Sequence, residues 1–83
     1  MNRFKIKSQL FRLILDNRET VKKALTNDYS CTDNCSYGEN LQLFAYQRLM
    51  PLFPLKFRDE IDRVIDETDW HYVASKFELM ISD

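Results

Sequence analysis

Leu55-Lys56-Phe57-Arg58-Asp59-Glu60-Ile61-Asp62-Arg63-Val64-Ile65-Asp66, followed after Glu67-Thr68-Asp69 by Trp70-His71-Tyr72-Val73-Ala74-Ser75-Lys76-Phe77-Glu78-Leu79-Met80-Ile81, is the stretch that decides the fold. Phe57, Ile61, Val64 and Ile65 recur at helical spacing while Arg58, Asp59, Asp62 and Asp66 fall elsewhere, which is one buried stripe and one wet face. Trp70, Val73, Ala74, Phe77, Met80 and Ile81 repeat the pattern, with Thr68 or Asp69 as the cap between the two helices. An amphipathic helix needs something to bury its stripe against, so the preceding chain is read as the cover.

Upstream, Phe4, Ile6, Leu10, Phe11, Leu13, Ile14 and Leu15 occupy more than half the circumference of a helix over residues 3–15. Such a helix is central in the fold, or is buried once internally and once by a partner. The alternation Phe4-Lys5-Ile6-Lys7 leaves a minor α+β alternative, a short strand pairing with 77–81. Asp16 and Glu19 have capping-box spacing before a second helix over Asn17–Thr26, with Val21, Ala24 and Leu25 inward. Asn27–Cys35 is a polar loop. Ser36-Tyr37-Gly38-Glu39 reads as a second capping box opening a helix to about Met50, which Pro51 and Pro54 terminate. Tyr37, Leu41, Phe44, Ala45 and Leu49 make its core stripe, and Phe53, held extended by the following proline, plugs the core. The expectation is a single all-α domain spanning 1–83, a compact irregular bundle of four to five short helices.

Bulk composition narrows the function classes. Hydrophobic residues at 45% and charged residues at 30% mark a globular chain. Area scaling for 83 residues gives roughly 5,200 Å² of folded surface. The net charge of −1 hides a polarity, +5 over residues 1–25 and −6 over the remainder. No apolar run approaches a membrane span and no secretory leader opens the chain, so the cytoplasm is the expected location.

Candidate chemistry is sparse. Cys31 and Cys35 with the single His71 fall short of the four ligands of a structural zinc site, and read as ordinary thiols. His71 lies off the apolar stripe of the last helix and reads as exposed. There is no nucleophile motif, no phosphate-cradling glycine loop and no calcium-loop spacing, so neither catalysis, a metal nor a cofactor is expected. The acidic face Asp59, Asp62, Asp66 and Asp69 carries the simple i,i+4 pairs of a solvated helix. The basic group Arg12, Arg18, Lys22 and Lys23 supports an alternative, nucleic-acid contact by one end of the molecule, which Asp16 and Glu19 interrupt.

Surplus apolar surface is the more informative feature. Leu43, Tyr46 and Met50 form a second stripe at i, i+3, i+7 on the third helix, and Tyr72 and Leu79 lie opposite the core stripe of the last. Tyrosine and methionine are types enriched at interfaces. These five residues are the expected protein interface, and the expected function is a non-enzymatic regulator, adaptor or inhibitor that acts by stoichiometric protein binding, with a homodimer as one form. Small inhibitors encoded by phages and mobile elements share this size and lack of motifs, although no stretch identifies such a family.

Overall fold

A computed structural model of the chain describes residues 2–29 and 34–79, without the side chains of 34–36. Five α-helices run α1 (Arg3–Asp16), α2 (Arg18–Asn27), α3 (Asn34–Phe44), α4 (Arg58–Glu67) and α5 (Trp70–Lys76). A π turn (Ala45–Leu49) and two 3₁₀ turns (Met50–Leu52 and Leu55–Phe57) connect α3 to α4. There is no strand among the described residues, so the Phe4–Lys7 segment is helix and the α+β alternative is excluded. The exposed surface of 5562 Å² is close to the value expected for a folded chain of this length.

Helix boundaries follow local chemistry. The Asn2 side chain accepts from the Lys5 amide at 2.9 Å and opens α1. Asn17 ends α1 by donating its side-chain amide to the Leu13 carbonyl at 2.8 Å, and α2 begins at the next residue. That use of Asn17 replaces the expected Asp16/Glu19 capping box, since the cap of α2 is Asn17 and makes no side-chain cap bond. The expected box at Ser36 is also overturned, because α3 already starts at Asn34 and Gly38 lies inside it. Asp69 caps α5 by accepting from the Tyr72 amide at 3.1 Å, as its type and position require. The expected loop Asn27–Cys35 is shorter than its polar composition suggested, since Asn27 belongs to α2 and Asn34 and Cys35 to α3; residues 30–33 lie outside the described residues.

Each helix contributes one stripe to a single core: Ile6, Leu10 and Ile14 from α1; Val21, Ala24 and Leu25 from α2; Tyr37, Leu41 and Phe44 from α3. Ile61, Val64 and Ile65 of α4 and Trp70, Val73 and Ala74 of α5 complete it. Each fully buried aliphatic side chain stabilises by about 1.5–3 kcal/mol relative to exposure. The pairing of α3 with α5 is the most extensive, α1 lies on α4, and α2 touches both α1 and α3. The buried Trp70 indole donates to the Ile65 carbonyl at 2.7 Å, the shortest of the bonds to a carbonyl in the last turn of α4 that also accepts from the Thr68 amide at 3.4 Å. Arg48 holds the end of α2 against α3, paired with Asp28 at 2.8 Å and lying over the rings of Tyr29 and Phe44.

Gly38 sets the distance between α3 and α5. A Cβ added there would lie 2.9 Å from the His71 Cα and 3.0 Å from its amide nitrogen, so only a residue without a side chain admits this approach. The chain has no other glycine.

The π turn follows from Pro51, whose ring would collide with the carbonyl four residues back in a continuing α-helix. The backbone widens instead, with the Met50 amide bonded to the Ala45 carbonyl, and passes into the 3₁₀ turn that contains Pro51. Phe53 is extended (φ −97°, ψ 153°) and packs against the core as expected.

At its far end α5 stops at Lys76, five residues short of the periodic pattern. Glu78 takes a left-handed conformation (φ 56°), its amide bonds to the Ser75 carbonyl, and the Leu79 amide bonds to the Ala74 carbonyl at 2.9 Å. This left-handed cap turns the chain back on itself and buries Leu79 completely. Leu79 is therefore a core residue and not an interface residue, because it lies past the end of the helix whose pitch placed it outward. Met80 and Ile81 lie outside the described residues.

Three stability outcomes follow. Gly38→Ala gains about 1 kcal/mol of helix propensity but meets backbone that cannot step aside, so a net loss of about 1–3 kcal/mol is expected by urea unfolding. Glu78→Gly relieves a left-handed non-glycine residue and gives up only its exposed 3.9 Å pair with Arg18, so a gain of roughly 0.5–1 kcal/mol is expected. The buried Tyr37 hydroxyl finds no hydrogen-bond partner among the described residues, so Tyr37→Phe should hold or raise the melting temperature, by up to about 1 kcal/mol of stability.

Candidate protein-docking faces

The expected interface residues divide into two kinds. Leu43 and Tyr72 remain in water at 42% and 58% exposure. Tyr46 and Met50 are half-buried and pack against the core. The Tyr46 hydroxyl donates to the Asp62 carbonyl at 3.4 Å, and burial, followed by the Asp62 carboxylate, raises its pKa above the usual tyrosine value. The π turn accounts for the difference, since a wider turn at Ala45–Leu49 changes the rotation that a regular helix would give the residues beyond Leu43. With Leu79 in the core, the five residues do not form one exposed stripe.

Of the other exposed large apolar residues, Phe4 and Leu15 lie on α1, and Leu52 and Leu55 lie in the corner between α3 and α4. The core stripe of α1 is Ile6, Leu10 and Ile14. Phe4, Phe11 and Leu15, at i, i+7 and i+11, make a second stripe roughly 120° around the helix. Phe4 is 78% exposed and Leu15 52% exposed. Phe11 is half-buried, its ring meeting Phe77 edge to face at 5.8 Å with the Lys7 ammonium 5.7 Å from its centre.

Two furrows run beside this stripe. One, of about 580 Å³, is walled by Phe11, Leu15 and Phe77. The other, of about 360 Å³, lies between Leu13 and the Leu52-Phe53-Pro54 corner. Gln9, Arg12 and Asp16 border both, so the Arg12–Asp16 pair, 3.8 Å apart, is a polar ridge between two apolar troughs. The signal for this face was the excess apolar circumference of α1. What periodicity could not indicate is which side of that circumference the other helices would leave bare.

The basic group is less free than its sequence clustering suggests. Arg12 pairs with Asp16, and Arg18 lies 3.9 Å from Glu78 at the end of α5. Lys23 is exposed on α2, with Lys22 partly covered. Two of the four cations thus have carboxylates beside them, which weakens a phosphate footprint.

For metal and acid–base chemistry, the described residues include no group of three or more His, Cys, Asp or Glu placed to hold an ion. Cys31 and the side chain of Cys35 lie outside the described residues. His71 is exposed, as expected, with its backbone against Gly38. No described helix is long and apolar enough to cross a membrane. Comparison with family models, with curated proteins and with solved structures finds no match for the chain.

Proposed function

We propose that this chain is a non-enzymatic protein-binding module, acting in the cytoplasm as a regulator, adaptor or inhibitor through stoichiometric contact with another protein. One observation carries the reading: two apolar furrows lie side by side along a helix that already spends its opposite face on the core. Scattered exposed leucines are ordinary on a small protein, whereas neighbouring apolar troughs bordered by polar residues mark a docking site. The chain is also small, so a sizeable cofactor pocket would have to be cut from a core to which every helix contributes.

The surface chemistry agrees with a protein partner. Phenylalanine and leucine supply area, and the Arg12–Asp16 ridge and Gln9 supply polar contacts at their edge, which is the usual division between an interface core and its rim. Leu43 and Tyr72 are exposed away from α1, on α3 and α5, and supply the competing surface.

Affinity capture from the source cell, followed by quantitative mass spectrometry, tests the reading with three baits whose folding is checked by circular dichroism: the wild-type chain, Leu15→Glu, and a Leu43→Glu/Tyr72→Glu double variant. The expected outcome is one protein held in near-equal amount by the wild type and lost with Leu15→Glu. Absence of any stoichiometric protein on the wild-type bait refutes the reading.

A further inference from the structure

We infer that the outer face of α1 seats a single amphipathic helix from a different protein, one whose flanks are acidic. The inference rests on the protein-binding reading and names the chemistry of the partner.

Shape comes first. Phe4, Ser8, Phe11 and Leu15 follow one another at spacings of four, three and four residues, the alternation that lines one side of a two-helix seam. The furrow walled by Phe11, Leu15 and Phe77 lies along one flank of this line and provides a hollow into which the side chains of a facing helix insert. An extended strand would need free backbone donors and acceptors, which a helix interior such as this one does not offer.

Charge then selects the partner. The exposed positions flanking the stripe are Lys5, Lys7 and Arg12, and α1 has no acidic residue before Asp16 at its last position. Lys5 and Arg12 are seven residues apart on the same side of the seam, the relation in which flanking charges choose a partner in paired helices. Acidic side chains on the facing helix would meet both.

A second copy of this chain is a poor occupant. Its α1 would bring Lys5, Lys7 and Arg12 against their own kind, and like charges across an interface oppose association. Its acidic helix, α4, carries Asp59, Asp62 and Asp66 outward but already commits Ile61, Val64 and Ile65 to the core, leaving no apolar stripe to offer. An anionic membrane shares the charge preference, and the vesicle arm of the test separates it from a peptide helix.

The test uses the full chain and two synthetic helical peptides of about four turns, each with leucines at alternating three- and four-residue spacing, one flanked by glutamate and the other by lysine. Binding is followed by titration calorimetry, with circular dichroism melts to confirm that the variants fold. The glutamate peptide should bind at least about tenfold more tightly than the lysine peptide, Leu15→Glu should weaken it by a similar factor, and Lys5→Glu/Arg12→Glu should reverse the preference. The inference is overturned by equal binding of the two peptides, by no binding of the glutamate peptide, or by indifference to Leu15→Glu. It is likewise overturned if light scattering shows a dimer that Leu15→Glu dissolves, or if phosphatidylserine vesicles bind this face and the glutamate peptide does not. Loss of a captured cellular partner on the Leu43→Glu/Tyr72→Glu bait alone would overturn this inference while leaving the protein-binding reading intact.

Discussion

The close approach of α3 to α5 at Gly38 is the constraint from which the other placements follow. With no Cβ at that point the backbone of α3 rests against that of His71, and the Tyr37, Leu41 and Phe44 side chains of α3 reach the same core as Trp70, Val73 and Ala74 of α5. Seating α5 in this way positions the Trp70 indole under the last turn of α4, where its bond to the Ile65 carbonyl fixes the angle between the two helices. The orientation of α4 in turn decides where α1 lies, held at its start by the Arg3–Glu67 pair at 3.0 Å and along its length by Ile6, Leu10 and Ile14. A short contact without a side chain thereby propagates through three helices.

The position of α1 explains the electrical asymmetry of the molecule. Its cations cannot face a core of aliphatic and aromatic side chains, so they gather on the side turned to water, around the second apolar stripe. The same helix thus presents grease and positive charge together, while α4 beside it presents carboxylates. What looks along the chain like a basic quarter followed by an acidic remainder is, in space, two adjoining surfaces of opposite sign, joined by the Arg3–Glu67 pair.

The helical stripes were legible from periodicity alone: the inward residues of α2, α3, α4 and α5 stand where a 3.6-residue pitch puts them, and Asp69 caps α5 as its chemistry requires. What was not legible lay wherever the pitch changes. Leu79 sits beyond a left-handed Glu78, a residue type that gives no warning of such a turn, whereas a glycine at that position would have announced it. Tyr46 and Met50 lie at or beyond a π turn whose cause, Pro51, is visible in the sequence but whose effect on register is not. The two expected capping boxes failed because Asn17 and Asn34 stand closer to the true helix starts. The bare side of α1 could be anticipated from its apolar excess, yet its furrows depend on Phe77 and the Leu52-Phe53-Pro54 corner, which reach α1 only through the tertiary fold.

The wide turn at Ala45–Leu49 amounts to one residue more than a regular helix would use to cover the same rise. Removing a single residue there would restore ordinary pitch and leave the chain beyond it close to where it stands, because the widened turn already absorbs the extra residue. Leu49 would keep its place in the core. The segment therefore takes up slack: it accommodates one residue between Phe44 and Met50 without displacing the helices on either side.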